Sequence, residues 1–240
     1  MITSKNHEKV KFVCKLLSSK SFRHKNNLMV LEGERLITEA EKIKELYYVK
    51  KEIAEKFLGI TEKSYEVSEE VFKKISDTVN PQGILALVEI PDTNGKIDLN
   101  GKYMAFENIQ DPSNLGAAAR SLEAFGINGI IVNGVDPYSP KVLRASMGAI
   151  LRMQVIMPND ILECLKNVPM RKIGMVVSGG ESIRDFEFKN DIAVIGNEAN
   201  GLTEKAKELC DNLITINMKG PTESLNAAVA AAVTAWEMQK

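Results

Sequence analysis

The chain has 240 residues, enough for one large domain or two small ones with a sizeable core. Hydrophobic residues make up 44% and charged residues 26%, the balance of a soluble globular protein, and no apolar run approaches the roughly 20 residues of a membrane span. The formal net charge of −1 lacks the basic excess that is typical of dedicated nucleic-acid binders.

Cysteine and histidine usage bears on redox chemistry and on metals. Cys14, Cys164 and Cys210 lie far apart and form no C-x-x-C pair, which predicts reduced, structural thiols and a cytoplasmic protein. His7 and His24 have no neighbouring cluster of cysteines or carboxylates, so the sequence predicts no metal site. The first residues lack the apolar segment of a secretory signal peptide, and we predict none.

The first part of the chain alternates between helical and strand patterns. Glu8–Ser18 carries apolar residues at helical spacing, and Ser68, followed by two glutamates, is typical of the N-cap of another helix. Further helices are predicted after Gly33 and over 52–58. The remaining apolar runs predict strands over 28–31, 46–49, 65–67 and 83–90. We therefore predict a small α/β domain over residues 1–92.

A polar stretch with glycine and proline follows this domain and lacks any periodicity, which predicts an interdomain linker over 93–101. From residue 102 onward the predicted strands are apolar nearly throughout, as in a parallel sheet that helices cover on both faces. These strands are predicted over 103–106, 129–132, 153–157, 173–177, 192–195 and 213–216. The second predicted domain spans 102–240.

Residues 107–126, ENIQDPSNLGAAARSLEAFG, form the first of three polar segments that follow predicted strands. The run from Asp111 to Asn114 is typical of a turn, and Gly116 with three alanines predicts a helix that packs closely against other backbone. Arg120 falls one or two turns inside this helix. A capped helix with an ordinary surface arginine is the alternative interpretation.

The second and third segments follow later strands. IAVIGNEANGL, residues 192–202, is an apolar strand that runs into Asn197, Glu198 and Gly201. ITINMKGPTESLNAAVAAAVTAWE, residues 214–237, is a strand, a Gly-Pro loop and an alanine-rich helix predicted from Leu225. No G-x-G-x-x-G follows the first strand and no P-loop occurs, although a Rossmann-type oxidoreductase remains the alternative for this half.

Taken in order, the three segments resemble the signature motifs of the SpoU/TrmH branch of the SPOUT class of methyltransferases. The resemblance consists of N-x(5)-R at Asn114 and Arg120, G-x-E-x-x-G from Gly196 to Gly201, and S-L-N at residues 224–226. It implies methylation of a ribose 2′-hydroxyl in RNA with S-adenosylmethionine as donor. It also implies a trefoil-knot α/β domain and a homodimer formed through that domain, in the region of the alanine-rich helix.

The resemblance also implies roles for individual residues. The implied catalytic residues are Asn114, Arg120, Glu198, Ser224 and Asn226. The implied cofactor-binding residues are Ser178, Gly179, Gly196, Asn197, Gly201, Ile216, Met218 and Leu225. Arg144 and Ser146 also resemble a family segment, but no role is assigned to them.

Alternatives remain open at several of these positions. Arg120 is either the base, primed by an RNA phosphate, or an electrostatic clamp, because a guanidinium is normally always charged. Glu198 is expected to orient Arg120 or the ribose. Ser224 is alternatively a helix N-cap. Gly196 and Gly201 are expected to let the cofactor approach bare backbone, and alternatively they only form turns.

The first domain resembles the ribosomal-protein-like substrate-binding domain of many SpoU enzymes, through MVLEGERLITEA at 29–40 and NPQGILALVE at 80–89. The two-domain layout favours ribosomal RNA over transfer RNA as substrate, and a non-catalytic RNA-binding module is a further alternative. Seven cations precede Asn26 against Glu8 alone and predict a local RNA-binding face, unless they only solvate a helix. They are Lys5, Lys9, Lys11, Lys15, Lys20, Arg23 and Lys25.

Overall fold

The computed structural model describes all residues from Met1 to Lys240 and contains two compact units. The first unit comprises Met1–Pro91 together with Tyr138–Gly148, and the second comprises Asp92–Pro137 and Ala149–Lys240. Each unit has its own β-sheet. The segment that contains Arg144 and Ser146 therefore packs with the first unit, although sequence reasoning placed it in the second domain. None of the helices combines the length and apolar character needed to cross a lipid bilayer.

The first unit is a four-stranded sheet with helices, as the strand–helix alternation predicts. Its sheet order is β1-β4-β2-β3, in which β4 runs antiparallel to β1 and β2, and β2 runs parallel to β3. The strands are β1 (Leu28–Glu32), β2 (Ile43–Tyr48), β3 (Thr61–Glu66) and β4 (Ile84–Glu89). The helices are α1 (Glu8–Ser18), α2 (Lys20–Asn26), α3 (Glu34–Ile37), α4 (Lys51–Ala54), a 3₁₀ turn (Glu55–Ile60) and α5 (Glu69–Ile75).

Helix α2 was not predicted, and it corrects the predicted basic face. The Ser19 hydroxyl caps α2 by accepting a hydrogen bond from the amide of Phe22 at 3.2 Å. Arg23 on α2 is only 4% exposed, and its guanidinium donates to the carbonyls of Leu16 and Leu17. Because these carbonyls belong to the last turn of α1, Arg23 stabilises the end of that helix and is not available to RNA.

Lys9 also has an internal partner. Its Nζ lies 2.6 Å from a carboxylate oxygen of Glu45 and 4.4 Å from the centroid of the Tyr65 ring. The other five cations remain exposed, namely Lys5, which pairs with Glu70 at 3.4 Å, and Lys11, Lys15, Lys20 and Lys25. The predicted basic face is therefore smaller than the sequence indicates.

The second unit is built on a seven-stranded sheet in which every neighbouring pair is parallel, which confirms the predicted parallel sheet. Its order is β7-β6-β5-β10-β8-β11-β9. The strands are β5 (Tyr103–Ile109), β6 (Gly129–Gly134), β7 (Gln154–Ile156), β8 (Lys172–Val176), β9 (Glu181–Ser182), β10 (Ile192–Ile195) and β11 (Asn212–Thr215). The helices are α6 (Pro112–Ala124), α8 (Ala149–Arg152), α9 (Ile161–Asn167), α10 (Glu204–Leu209) and α11 (Ala227–Glu237), while α7 (Pro140–Ser146) belongs to the first unit.

The segment predicted as a linker is part of the second unit. The Thr93 carbonyl accepts a hydrogen bond from the Met157 amide at 3.2 Å, and the Lys96 carbonyl accepts one from the Gln154 side chain at 3.0 Å. Ile97 packs against the core of the same unit. These contacts hold the segment to the edge of the sheet at β7.

Helices α6 and α11 pack against each other and carry the first and third motifs. Ala231 and Ala235 of α11 are fully buried, and their small side chains permit a close approach. Val229 and Trp236 of the same helix are 48% and 55% exposed. Helix α11 therefore has one face in the core and one apolar face on the surface.

Candidate active site

Helix α6 begins earlier than the sequence predicts. Asp111 is its N-cap, with a carboxylate oxygen 2.8 Å from the Ser113 amide, and Pro112 occupies the first turn. Asn114 consequently lies within the first turn of the helix and not in a preceding loop. Arg120 lies further along α6, is exposed, and forms no hydrogen bond or ion pair within the chain.

The Glu198 carboxylate binds the start of this helix. It accepts hydrogen bonds from the amides of Gln110 at 3.1 Å and Asp111 at 3.0 Å, and from the Asn114 side chain at 3.0 Å. Partial burial acts to raise the pKa of Glu198, but the hydrogen bonds from Asp111, Asn114 and Gln110 outweigh it and lower the pKa. The positive end of the helix dipole favours the same charged form. Glu198 does not contact Arg120, so no direct contact supports the expected role of Glu198 in orienting the Arg120 side chain.

Asn226 links the third motif to the first. Its side-chain nitrogen donates to Oδ1 of Asn114 at 2.9 Å, while its own Oδ1 accepts from the amides of Ala228 and Val229. Asn226 is thus the N-cap of α11, and the interpretation of Ser224 as the cap is wrong. Ser224 is exposed and makes no hydrogen bond within the chain. Glu198, Asn114 and Asn226 form one hydrogen-bonded chain through all three motifs.

The loop after β10 is closed by its own hydrogen bonds. The amide of Asn197 donates to the carbonyl of Gly201 at 3.0 Å, and the amide of Gly201 donates back at 2.9 Å. Gly201 has a φ of +67°, which favours glycine. A Cβ atom on Gly196 would lie 2.1 Å from the Gly201 carbonyl carbon. Gly196 is therefore required by the packing of the loop itself, which is the turn role given above as the alternative to cofactor approach.

A cavity of about 260 Å³ lies against this loop, at the carboxyl edge of the parallel sheet. Six of the predicted cofactor-binding residues line it, namely Gly196, Asn197, Gly201, Ile216, Met218 and Leu225. The other two, Ser178 and Gly179, lie exposed beyond the end of β8 and do not line it, while Val177 just before them does. Glu198 and Ser224 also reach its wall, whereas Arg120 does not.

Sequence reasoning missed part of this lining. Met175 and Val176 end β8, Ala199 and Asn200 complete the β10 loop, and Ala227 and Ala230 lie on α11. The first pair lay in a predicted strand and the last pair in a predicted alanine-rich helix. Their position within or beside the motifs was the only available signal, because all of them except Asn200 are apolar residues without reactive groups.

The chemistry of the lining indicates the kind of ligand that fits. Apolar side chains and loop backbone supply most of the wall, Glu198 is its only charged side chain, and no lysine or arginine lines it. Ligands bind at this edge of open parallel sheets, and the volume is near the roughly 300 Å³ lower end of small-molecule sites. The cavity suits a nucleoside-like cation better than a phosphate-rich dinucleotide.

Comparison with known proteins agrees with this geometry. The model of the SpoU rRNA Methylase family matches residues 102–236, and that of an MRM3-like substrate binding domain matches residues 7–86. The chain is 28% identical over 247 residues to the 23S rRNA (guanosine(2553)-2′-O)-methyltransferase RlmP of Bacillus subtilis, covering 99% of this chain and 98% of that one.

Solved structures extend the comparison. An AdoMet-bound rRNA methyltransferase from Sinorhizobium meliloti superposes with a TM-score of 0.87 at 25% identity, covering 99% of this chain and 96% of its own. A protein studied for 2-OH methylation of C/U34 on tRNA has 27% identity and a TM-score of 0.52, covering 59% of this chain and 95% of its own. These matches exclude the Rossmann oxidoreductase. The chain belongs to the SpoU rRNA Methylase family.

Proposed function

We propose that this protein methylates a ribose 2′-hydroxyl in ribosomal RNA, with S-adenosylmethionine as the methyl donor. The observation that carries the proposal is the hydrogen-bonded chain of Glu198, Asn114 and Asn226, which joins the three motifs beside one cavity. The names of the similar proteins supply the substrate class.

The RNA class follows from how much of the chain each relative covers. RlmP and the Sinorhizobium enzyme, both named for rRNA, match nearly the whole chain, including the first unit. The protein studied for tRNA methylation covers 59% of the chain. Ribosomal RNA is therefore favoured over transfer RNA, and the first unit is proposed to contact it.

The cavity would hold the cofactor against the loop backbone from Gly196 to Gly201 and the apolar side chains of Ile216, Met218 and Leu225. When bound there, S-adenosylmethionine supplies an electrophilic methyl group on a positively charged sulfur. Glu198 lies in the wall with a lowered pKa, so it stays negative near neutral pH. Its charge favours a cationic ligand in the cavity.

The 2′-hydroxyl must lose its proton during transfer. Glu198 is a poor general base, because its carboxylate already accepts three hydrogen bonds and its pKa is lowered, far from the neutral value that a base needs. Arg120 has no partner within the chain, and we propose that its partner is the RNA. It either clamps the developing alkoxide or, once primed by a phosphate, accepts the proton.

Filling the cavity tests where the cofactor binds. Ala230→Leu places three more carbon atoms in a cavity of about 260 Å³, and overpacking of this kind costs about 1–3 kcal/mol. We expect S-adenosylmethionine to bind at least roughly tenfold more weakly in titration calorimetry. Ala124→Leu, at an exposed position at the end of α6 outside the lining, is the matched control and should bind as the wild type does. If both variants bind S-adenosylmethionine with equal affinity, the cofactor binds outside this cavity.

The exposed lysines of α1 and α2 test how the first unit meets RNA. A triple variant in which Lys11, Lys15 and Lys25 are changed to Gln should bind rRNA more weakly. The slope of log affinity against log salt concentration should become shallower by roughly 2 to 3, because each lost phosphate contact removes about 0.7–0.9.

The matched control removes the same charge from exposed lysines of the second unit, Lys166, Lys189 and Lys205. Filter binding across salt concentrations measures both sets, and cofactor affinity should change in neither. If the two triple variants behave alike, the α1–α2 lysines are only solvated.

Three further features belong to the proposal. A homodimer through α11 is supported by the exposed Val229 and Trp236, and light scattering should show twice the chain mass. A trefoil knot is supported by the strand order, in which β10 lies between β5 and β8, and a crystallographic chain trace tests it. A cytoplasmic location is supported by three free cysteines and by the proposed substrate, and cell fractionation tests it.

A further inference from the structure

Asn108 has an unusual backbone for its position. It lies in β5, the strand between β6 and β10, and its φ is +56°. The register between β5 and β6 shifts between Phe106 and Ile109, which marks a bulge around Asn108. Positive φ is uncommon outside glycine, asparagine tolerates it best among the other residues, and bulges are frequent beside active sites.

The bulge frees the polar groups of Asn108 for partners on both sides. Its amide donates to Oδ1 of Asn133 on β6 at 2.7 Å, and the side chain of Asn133 donates to Oδ1 of Asn108 at 2.8 Å. On the other side, the Asn197 side chain donates to the Asn108 carbonyl at 2.9 Å. We call Asn133, Asn108 and Asn197 the amide clamp.

The clamp ends in the loop that lines the cofactor cavity. Oδ1 of Asn197 accepts hydrogen bonds from the amides of Ala199 at 3.0 Å and Asn200 at 3.2 Å, and both residues line the cavity. Asn108 and Asn133 do not line it; they face a neighbouring cavity of about 520 Å³. The side-chain hydrogen bonds of these two residues reach the cavity lining through Asn197.

Two separate attachments hold the loop. Glu198 fixes it to the start of α6, and the amide clamp fixes it to the bulge of β5 and through that bulge to β6. Each of the three asparagine side chains is neutral and makes at least one hydrogen bond to another member of the clamp or to the loop itself. We infer that Asn108 and Asn133 are positioning residues that hold the β10 loop in its cofactor-binding shape, an inference that rests on the proposed function.

Asn133→Ala is the main test. It removes both bonds to Asn108, so the loop is expected to sample other shapes and the dissociation constant for S-adenosylmethionine to rise about tenfold, the equivalent of one or two hydrogen bonds. The value of kcat at saturating cofactor should stay within about threefold of the wild type, because Arg120 is untouched. Asn159→Ala is the matched control, since Asn159 lines the same neighbouring cavity but makes no side-chain hydrogen bond.

Two further variants separate positioning from general stability. Asn133→Asp keeps an oxygen for the Asn108 amide, and a flipped Asn108 side chain can donate to the second oxygen, so affinity should largely return. Asn133→Ala combined with Asn197→Ala should weaken binding by less than the product of the two single effects, because both act through Asn108.

The outcomes divide cleanly. The inference is wrong if folded Asn133→Ala binds S-adenosylmethionine as tightly as the wild type. It is also wrong if the loss of affinity in the double variant equals the product of the two single losses. If Asn133→Ala does not fold, the affinity of Asn133→Asp decides, and a tenfold loss there would also count against the proposal. A wild-type protein that binds no S-adenosylmethionine would instead refute the proposed function itself.

Discussion

Arg120→Ala is expected to leave roughly 1% or less of the methyl-transfer rate, since positioned acid–base or electrostatic groups contribute about 10²–10⁴-fold. The melting temperature should not change, because Arg120 is exposed on α6 and has no partner within the chain to lose. Single-turnover transfer at saturating cofactor measures the first quantity and thermal unfolding the second. A lower rate with an unchanged melting temperature is expected of a residue that acts on the substrate and does not stabilise the fold.

The replacement by lysine separates charge from geometry. Arg120→Lys keeps the positive charge but loses the planar guanidinium that binds a phosphate through two parallel hydrogen bonds, so we expect little recovery of the rate. Arg184→Ala, another exposed arginine of the second unit, is the control and should transfer methyl groups normally. If folded Arg120→Ala methylates at a near-normal single-turnover rate, Arg120 is an ordinary surface arginine without a role in catalysis.

Glu198→Ala is expected to lower methyl transfer on the order of 100-fold, mostly through weaker cofactor binding. The substitution leaves the amides of Gln110 and Asp111 and the side chain of Asn114 without their acceptor, and hydrogen bonds to a charged group contribute about 1.5–3 kcal/mol each. Glu198→Gln should recover only part of the loss, because its amide nitrogen cannot accept. Glu163→Gln, an exposed glutamate of α9, is the control.

The lowered pKa of Glu198 adds a pH dependence to this prediction. A carboxyl whose pKa falls on folding stabilises the native state above its unfolded value, about 4.3, and loses that contribution as the pH falls through the lower native value. The wild type should therefore lose stability through this group below pH ~4.3. In Glu198→Gln this part of the loss of stability at acid pH should be absent, because the amide does not titrate. Identical acid unfolding curves for the two proteins would contradict the network described for Glu198.

Local signals allowed much of the fold to be predicted. Helix α1 and strand β10 have the predicted bounds, because one has regular apolar spacing and the other is a fully buried run that stops at Gly196. Helix α2 escaped prediction because Ser19 is both the end of α1 and the cap of α2, so no break separates the two patterns. The strand order was beyond reach, since it depends on pairings between distant segments.

The candidate site shows the same division. The resemblance of three segments to the SpoU/TrmH motifs pointed to Asn114, Glu198 and Asn226, but their mutual hydrogen bonds exist only where three distant segments meet. Arginine is usually a surface residue, so the sequence placed Arg23 on the surface, but tertiary packing buries it. Asn108 was not singled out, because a positive φ and a shifted register leave no trace in an apolar pattern.

The central claim is the transfer of a methyl group to ribose in ribosomal RNA, and one measurement tests it most directly. Purified protein is incubated with methyl-labelled S-adenosylmethionine and with rRNA and tRNA taken from cells that lack the gene, and the digested nucleosides are identified by mass spectrometry. We predict the label in one 2′-O-methylated nucleoside of the rRNA, formed at roughly 1% of the wild-type rate or less by Arg120→Ala. Label on a base, label in tRNA alone, or no transfer to any RNA would contradict the account.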